Sequence, residues 1–193
     1  EMYIFEDRDG TRVALRPEGT APVARAYIGH GMHSAPQPVK LWHMGPMFRH
    51  DRPQAGRYRE FHQFDCDALG ERDPAIDAEL VVMAYNVLRD LGINAQVAIN
   101  SIGANEDRER YSVELLGYLR SKRSYLSEDS KKRLAKNPLR ILDSKALEDQ
   151  PIIEEAPQIV DWLSDSAKQY FMKVLEYLDA LDVPYILRPT LVR

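Results

Sequence analysis

A chain of 193 residues, 44% apolar and 29% charged, has the composition of a soluble globular protein with room for one large domain or two small ones. Its net charge of −4 argues against global attraction to nucleic acid or anionic membrane, so any polyanion must be met by a local basic patch. The lone Cys66 excludes an internal disulfide and argues against a cysteine zinc site. No apolar run approaches the roughly 20 residues of a membrane span, and no signal peptide opens the sequence; a cytoplasmic location is expected. The chain opens at Glu1 and closes on Thr190-Leu191-Val192-Arg193, and both ends are expected to continue in a longer protein.

In chain order, Tyr3–Phe5 and Arg12–Leu15 are strand-like and split by Asp9-Gly10, which predicts a β-hairpin. Thr20 before Ala21-Pro22 predicts an N-cap and a helix to about Gly31. Val39–Arg49 reads as a strand broken or bulged at Gly45-Pro46. A loop from Asp51 to Tyr58 then leads into a partner strand, Arg59–Leu69. Asp73-Pro74 opens a helix whose Ile76, Leu80, Met83, Val87 and Leu91 recur at helical spacing until Gly92, so one face must lie on a sheet. A strand, Gln96–Asn100, follows.

From about Asn105 the pattern is helical and charge-dense, with Ser127 and Ser164 placed as N-caps and Asn137-Pro138 as a stop. Val183–Arg193 returns to strand character and is expected to re-enter the first sheet. The resulting division is a core over 1–103, a helical insertion over 104–182 and a return strand over 183–193.

The stretch from Phe48 to Asp67 gathers Arg49, Arg52, Arg57 and Arg59 around a Pro/Gly-containing loop, then alternates acids. Strand periodicity groups Met47, Arg49 and Asp51 on one strand, and Phe61, Gln63, Asp65 and Asp67 on the other. Paired, they offer arginine forks for phosphate, an aromatic plane for a base, and an amide with carboxylates for an amino acid's ammonium and side chain. The bland reading is solvated arginines, a core phenylalanine and acids marking a wet strand face. Cys66 is expected on the opposite, apolar face with Phe64. No Gly-rich phosphate loop, nucleophilic triad or metal set is legible, and His30 with His33 reads as a surface pair. A substrate that brings its own nucleophile suits such a site.

The segment Gly45-Pro46-Met47-Phe48-Arg49 through Arg57-Tyr58-Arg59-Glu60-Phe61-His62-Gln63 resembles motif 2 of the class II aminoacyl-tRNA synthetases, specifically the histidyl-tRNA synthetases. Leu15-Arg16-Pro17-Glu18-Gly19-Thr20, Asn137 through Lys145, and Leu191-Val192-Arg193 resemble that family in the same order, the third of these four segments in its bacterial form. The resemblance implies an α+β fold, an antiparallel β-sheet flanked by helices with a helical insertion domain. It also implies a ligase that joins L-histidine to ATP and transfers the histidyl group to histidine tRNA.

By motif position, Arg49 and Arg193 would be catalytic. Glu18, Gly19, Thr20, Gln63 and Asp67 would bind histidine together with those two arginines. Arg49, Asp51, Arg57 and Phe61 would bind ATP, and Arg52 and Gln54 would contact tRNA. Mg2+ is implied as a companion of ATP with no site made by protein alone, and the family implies a homodimer. Asp67 and Asp51 stand where bacterial members usually carry Glu. Motifs 1 and 3, the rest of the histidine motif after Arg193 and the anticodon-binding domain are absent from the chain, so these residues alone are expected to have little or no activity. Two rival readings are a catalytically silent regulatory subunit of ATP phosphoribosyltransferase, and an RNA-binding module using the basic loop with Lys122, Arg123, Lys131, Lys132, Arg133 and Lys136.

Overall fold

The structure is a computed structural model and describes residues 2–192. It is α+β and divides into two compact units, one ending at Ile76 and one beginning at Asp77.

The first unit opens on the hairpin β1 (Ile4–Glu6) and β2 (Arg12–Ala14), paired antiparallel with Phe5 opposite Val13. Its turn forms because Gly10 accepts a φ of +81° while the Asp9 carboxylate takes the Thr11 N–H at 2.9 Å. Helix α1 (Thr20–Gly29) follows. Its N-cap is Gly19 rather than Thr20, and no Gly19 side chain exists to cap it. Glu18 caps the helix instead, accepting the N–H of Thr20 at 2.9 Å and of Ala21 at 3.1 Å.

The main ladder of this unit is β3 (Val39–Phe48) against β4 (Glu60–Leu69). Its register runs without interruption from Val39 opposite Leu69 to Phe48 opposite Glu60, so the expected break at Gly45-Pro46 does not occur. The reason lies in which edge Pro46 presents. Just beyond β3, Arg49 N–H donates to Arg59 O, and hydrogen-bonded pairs alternate along an antiparallel ladder. Pro46 therefore falls at a non-hydrogen-bonded position, where its missing N–H removes nothing from the ladder.

In the second unit, β5 (Val97–Ile99) pairs in parallel with β6 (Tyr185–Leu187). The returning strand is only three residues long and pairs with β5, not with the β3–β4 ladder. Helices α2 (Pro74–Asp90) and α6 (Asp165–Ala180) supply Ala78, Val174 and Leu178 to a core shared with Val97, Ile99 and Tyr185 of this pair. One face of α2 does pack on this pair, but it is the face of Ala78, Val81, Val82 and Tyr85 rather than the expected Ile76, Leu80, Met83, Val87 and Leu91, of which Val87 and Leu91 are exposed; the helix is apolar on more than one side, so periodicity alone does not choose between them. Ser164 caps α6 by accepting from Ala167 N–H, and its own N–H and hydroxyl donate to the buried Asp107 near the start of α3 (Asn105–Ser121).

A second core in this unit joins Tyr111, Leu115 and Leu119 of α3 to Leu134 of α4 (Glu128–Leu134), Ile152 of α5 (Gln150–Glu154), and Ile141 and Ile159. The short turns between these helices are fixed by one carboxylate. Asp149 is fully buried and accepts from Ser127 N–H and from the hydroxyls of Ser127, Ser130 and Ser144. Burial works to raise its pKa, but these hydrogen bonds to the charged form outweigh it and hold the carboxyl below the usual range. Its contribution is therefore in place above the ordinary carboxyl range near pH 4 and is lost as pH falls through the depressed value. Asp149→Ala is expected to lower unfolding free energy by about 3 kcal/mol or more, since it leaves several buried donors without an acceptor. Urea titration of the intact protein measures this, and a change under about 1 kcal/mol would show that the serines find other partners.

Candidate functional site

The site lies on one face of β3–β4. Because side chains alternate along a strand, the register places Leu41, His43, Gly45 and Met47 beside Asp67, Asp65, Gln63 and Phe61 on the same side. The burial of the two faces is the reverse of an ordinary surface ladder. Asp65 is only 16% exposed, whereas Trp42, Met44 and Phe64 on the other face are 70%, 69% and 54% exposed. The alternating acids therefore do not mark a wet face, and Cys66 shares the opposite, apolar side with Phe64, as the periodicity predicts.

A latch joins the Leu15–Thr20 segment to the end of β3. Arg16 Nε donates to Pro46 O, Phe48 N–H to Arg16 O and Arg49 Nε to Pro17 O, each at 2.8 Å. The Arg16 guanidinium lies over Gly45, where a Cβ would stand 2.9 Å from it; this is why glycine sits opposite Gln63. The same latch brings Glu18, Gly19 and Thr20 to the ladder. The N–H of Ala21, then that of Thr20 and the Arg49 charge, hold the Glu18 carboxyl below its ordinary range against the opposing effect of desolvation.

At the loop end, Arg49, Asp51, Gly56, Arg57, Tyr58 and Phe61 line a cleft of about 240 Å3. The Arg49 guanidinium carbon stands 4.9 Å from the Phe61 ring centroid, a cation–π contact over the ring. No carboxylate among the described residues pairs with Arg49 within salt-bridge distance. Arg57 Nε lies 3.8 Å from Asp51, both partly exposed, a weak pairing that a phosphate can displace. Asp51 is past the end of β3 rather than part of its face. Gln54 and Arg57 bridge across the loop tip around Gly56, whose φ is +75°, and Arg52 is exposed beside them.

At the other end of the face, four buried polar atoms have no hydrogen-bond partner among the described residues: His43 Nδ1, Gln63 Oε1, Asp65 Oδ2 and Asp67 Oδ2. His43 Nε2 is 3.1 Å from Asp65 Oδ2, in contact but not aligned as a hydrogen bond. Desolvation first, and then the neighbouring Asp65 charge, push the Asp67 carboxyl up. Three of these four atoms are oxygens that only accept. The set asks for a ligand rich in N–H donors, which suits a primary ammonium with a second donor group.

Of the residues read from sequence, Glu18, Gly19, Thr20, Arg49, Asp51, Arg57, Phe61, Gln63 and Asp67 fall on this face or at its latch and loop. Arg193 lies outside the described residues. His43, Arg16 and Tyr58 join the site from the structure alone. Arg16 and Tyr58 belong to segments that carry the family resemblance, whereas His43 has no local signal beyond its strand position.

The sequence matches the family model for the class II tRNA synthetase core domain (G, H, P, S and T) over residues 3–182. The chain belongs to that family. Histidine–tRNA ligases of Halothermothrix orenii and of Thermus thermophilus are each 50% identical to it, matching all of this chain but 46% and 47% of their own lengths. The apo structure of S. aureus histidyl-tRNA synthetase superposes with a TM-score of 0.74 at 36% identity, covering 100% of this chain and 45% of that one. A Bacillus halodurans protein described as an ATP phosphoribosyltransferase regulatory subunit/histidyl-tRNA synthetase shares the fold at 22% identity, with a TM-score of 0.64 over 99% of this chain and 53% of that one. This class II synthetase chain thus spans about half the length of the relatives it matches.

Gly19 is buried, and a methyl group added there would overlap both His43 and the Asp65 carboxylate. Gly19→Ala is expected to displace the start of α1 from the ladder, lowering the melting temperature by several degrees, as a clash of about 1–3 kcal/mol does in a domain of this size. Thermal unfolding followed by circular dichroism measures it, and an unchanged midpoint would show that the two side chains move aside freely.

Proposed function

We propose that the intact protein is a histidine–tRNA ligase, activating L-histidine with ATP and passing the histidyl group to the 3′ end of histidine tRNA. The observation that carries this reading is the acceptor-rich end of the β3–β4 face, with its four unpartnered buried atoms, in line with a cationic cleft at the other end. A donor-rich amino acid and a polyphosphate laid end to end meet both.

In the first step an oxygen of the histidine carboxylate attacks the α-phosphorus of ATP. The bond from that phosphorus to the bridging oxygen breaks, and pyrophosphate leaves with its Mg2+, which enters as part of the substrate. In the second, the terminal ribose hydroxyl of the tRNA attacks the carbonyl carbon and AMP leaves. No protein nucleophile is needed, so the chain's task is positioning and charge stabilisation.

Arg49, tied through Nε to Pro17 O, keeps its terminal nitrogens for the α-phosphate and the reacting carboxylate. Arg57 meets the outer phosphates, and Phe61 stacks on adenine. Glu18, Thr20 and Gln63 collect the α-ammonium, while Asp67 accepts from the imidazole; the raised Asp67 carboxyl marks a place where a donor relieves electrostatic strain. Arg193 is assigned to the α-phosphate by its motif alone. Arg52 and Gln54, at the exposed loop, are assigned to tRNA.

The division at 103/104 and 182/183 draws support from β5 and β6, which pair from either side of that segment, while Val174 and Leu178 of α6 pack with Ala78 and Val183, and Val192 packs in the core of Tyr111 and Ile159, across the second boundary. A cytoplasmic homodimer completes the reading. Its location is consistent with the absence, among the described residues, of any helix long and apolar enough to cross a membrane.

Histidine-dependent ATP–pyrophosphate exchange by the intact protein tests the reading. Arg49→Ala is expected to slow it by about a hundredfold or more, as loss of a charge-stabilising donor does; normal exchange in that variant would remove Arg49 from the site. Asp67→Ala is expected to weaken histidine binding about tenfold or more, through an unpaired imidazole N–H, with ATP binding unchanged. Absence of exchange in the wild type would favour a regulatory relative instead.

A further inference from the structure

One titratable ring on the site face has no part in the reading above. His43 stands opposite Asp65 in register, with Nε2 3.1 Å from Asp65 Oδ2 and Nδ1 buried without a partner. Two observations set this pair apart from ordinary ladder residues. The Cε1–Nε2 edge of His43 and the Asp65 carboxylate fill the space where a Gly19 side chain would be, so the backbone between Glu18 and Thr20 rests directly on them. In addition, Gln63 and Asp67, two residues before and after Asp65 on the same face, each hold a buried oxygen without a donor. Each such atom carries an unrepaid desolvation cost, so four on one face is an arrangement that stability alone does not favour.

From this geometry we infer that His43, held by Asp65, is a positioning and specificity residue of the amino-acid subsite. One edge of its ring props the Gly19 backbone, and Nδ1, with the ring proton on Nε2 toward Asp65, accepts a directed hydrogen bond from the bound amino acid. The inference rests on the ligase reading and adds a discriminating group to it. Carboxylates accept from any ammonium, so Glu18 and Asp65 would hold the α-amino group of most amino acids. A ring nitrogen at a fixed position is more selective: an imidazole side chain protonated on both nitrogens donates one N–H to Nδ1 and the other to Asp67. A side chain without that second polar atom leaves Nδ1 buried and unpaired, the kind of loss by which polar sites reject near-isosteres.

The test is histidine-dependent ATP–pyrophosphate exchange by the intact protein, comparing wild type with His43→Phe, which keeps a ring but no nitrogen, and His43→Asn, which keeps a polar atom near the Nδ1 position. His43→Phe is expected to raise the KM for histidine about tenfold or more with the KM for ATP within about twofold, and His43→Asn to recover most of that loss. A histidine KM within about twofold of wild type in His43→Phe would overturn the inference. So would equal rises for histidine and ATP in both variants, the mark of a purely structural role. A wild type without histidine-dependent exchange overturns the ligase reading and this inference with it, whereas an active wild type with indifferent variants overturns the inference alone.

Discussion

The ladder from Val39 to Leu69 constrains everything at the site. Its ten residue pairs keep one register, and side chains along a strand alternate, so a slip of one residue would turn Trp42, Met44 and Phe64 onto the site face and His43, Gln63, Asp65 and Asp67 away from it. The latch from Arg16 and Pro17 to β3 works only in that register, because Pro46 O, Phe48 N–H and Arg49 Nε must all face the same segment. Gly45 and Gly19 mark where that segment comes closest: one clears the Arg16 guanidinium, the other clears His43 and Asp65.

This arrangement places an electrostatic gradient along one face. Arg49 and Arg57 gather at the loop end, while Asp65, Asp67 and Glu18 gather at the other. The polarity fits a zwitterionic amino acid whose carboxylate points toward the arginines and whose ammonium points away. The same side chains that would destabilise an isolated ladder are those that a ligand of opposite pattern would satisfy. Function, in this account, is a matter of where charges are held rather than of a reactive side chain.

Local chemistry is legible in the sequence and long-range chemistry is not. Asp9-Gly10, Ser127 and Ser164 act within a few residues of themselves, and their turn and caps stand where the pattern puts them. Gly45-Pro46 reads as a break but is none, because the edge that Pro46 presents depends on its partner strand. The pattern puts the cap of α1 at Thr20, whereas Glu18, two residues earlier, satisfies the helix start. Strand character alone sends β6 to the first sheet, but its pairing with β5 joins strands more than eighty residues apart, which no local pattern reports. Arg49, Arg57, Phe61, Gln63 and Asp67 are readable through strand period and motif resemblance. His43 is not, since its importance arises from Asp65 across the ladder and from a glycine in another segment.

The central claim is that the face bearing His43, Gln63, Asp65 and Asp67 receives the amino acid. A crystal structure of the intact protein with L-histidine bound tests it most directly. The account predicts the ammonium and imidazole within hydrogen-bond distance of those residues, with the carboxylate directed toward Arg49. Histidine bound against Trp42 and Phe64, or away from this ladder altogether, would contradict it.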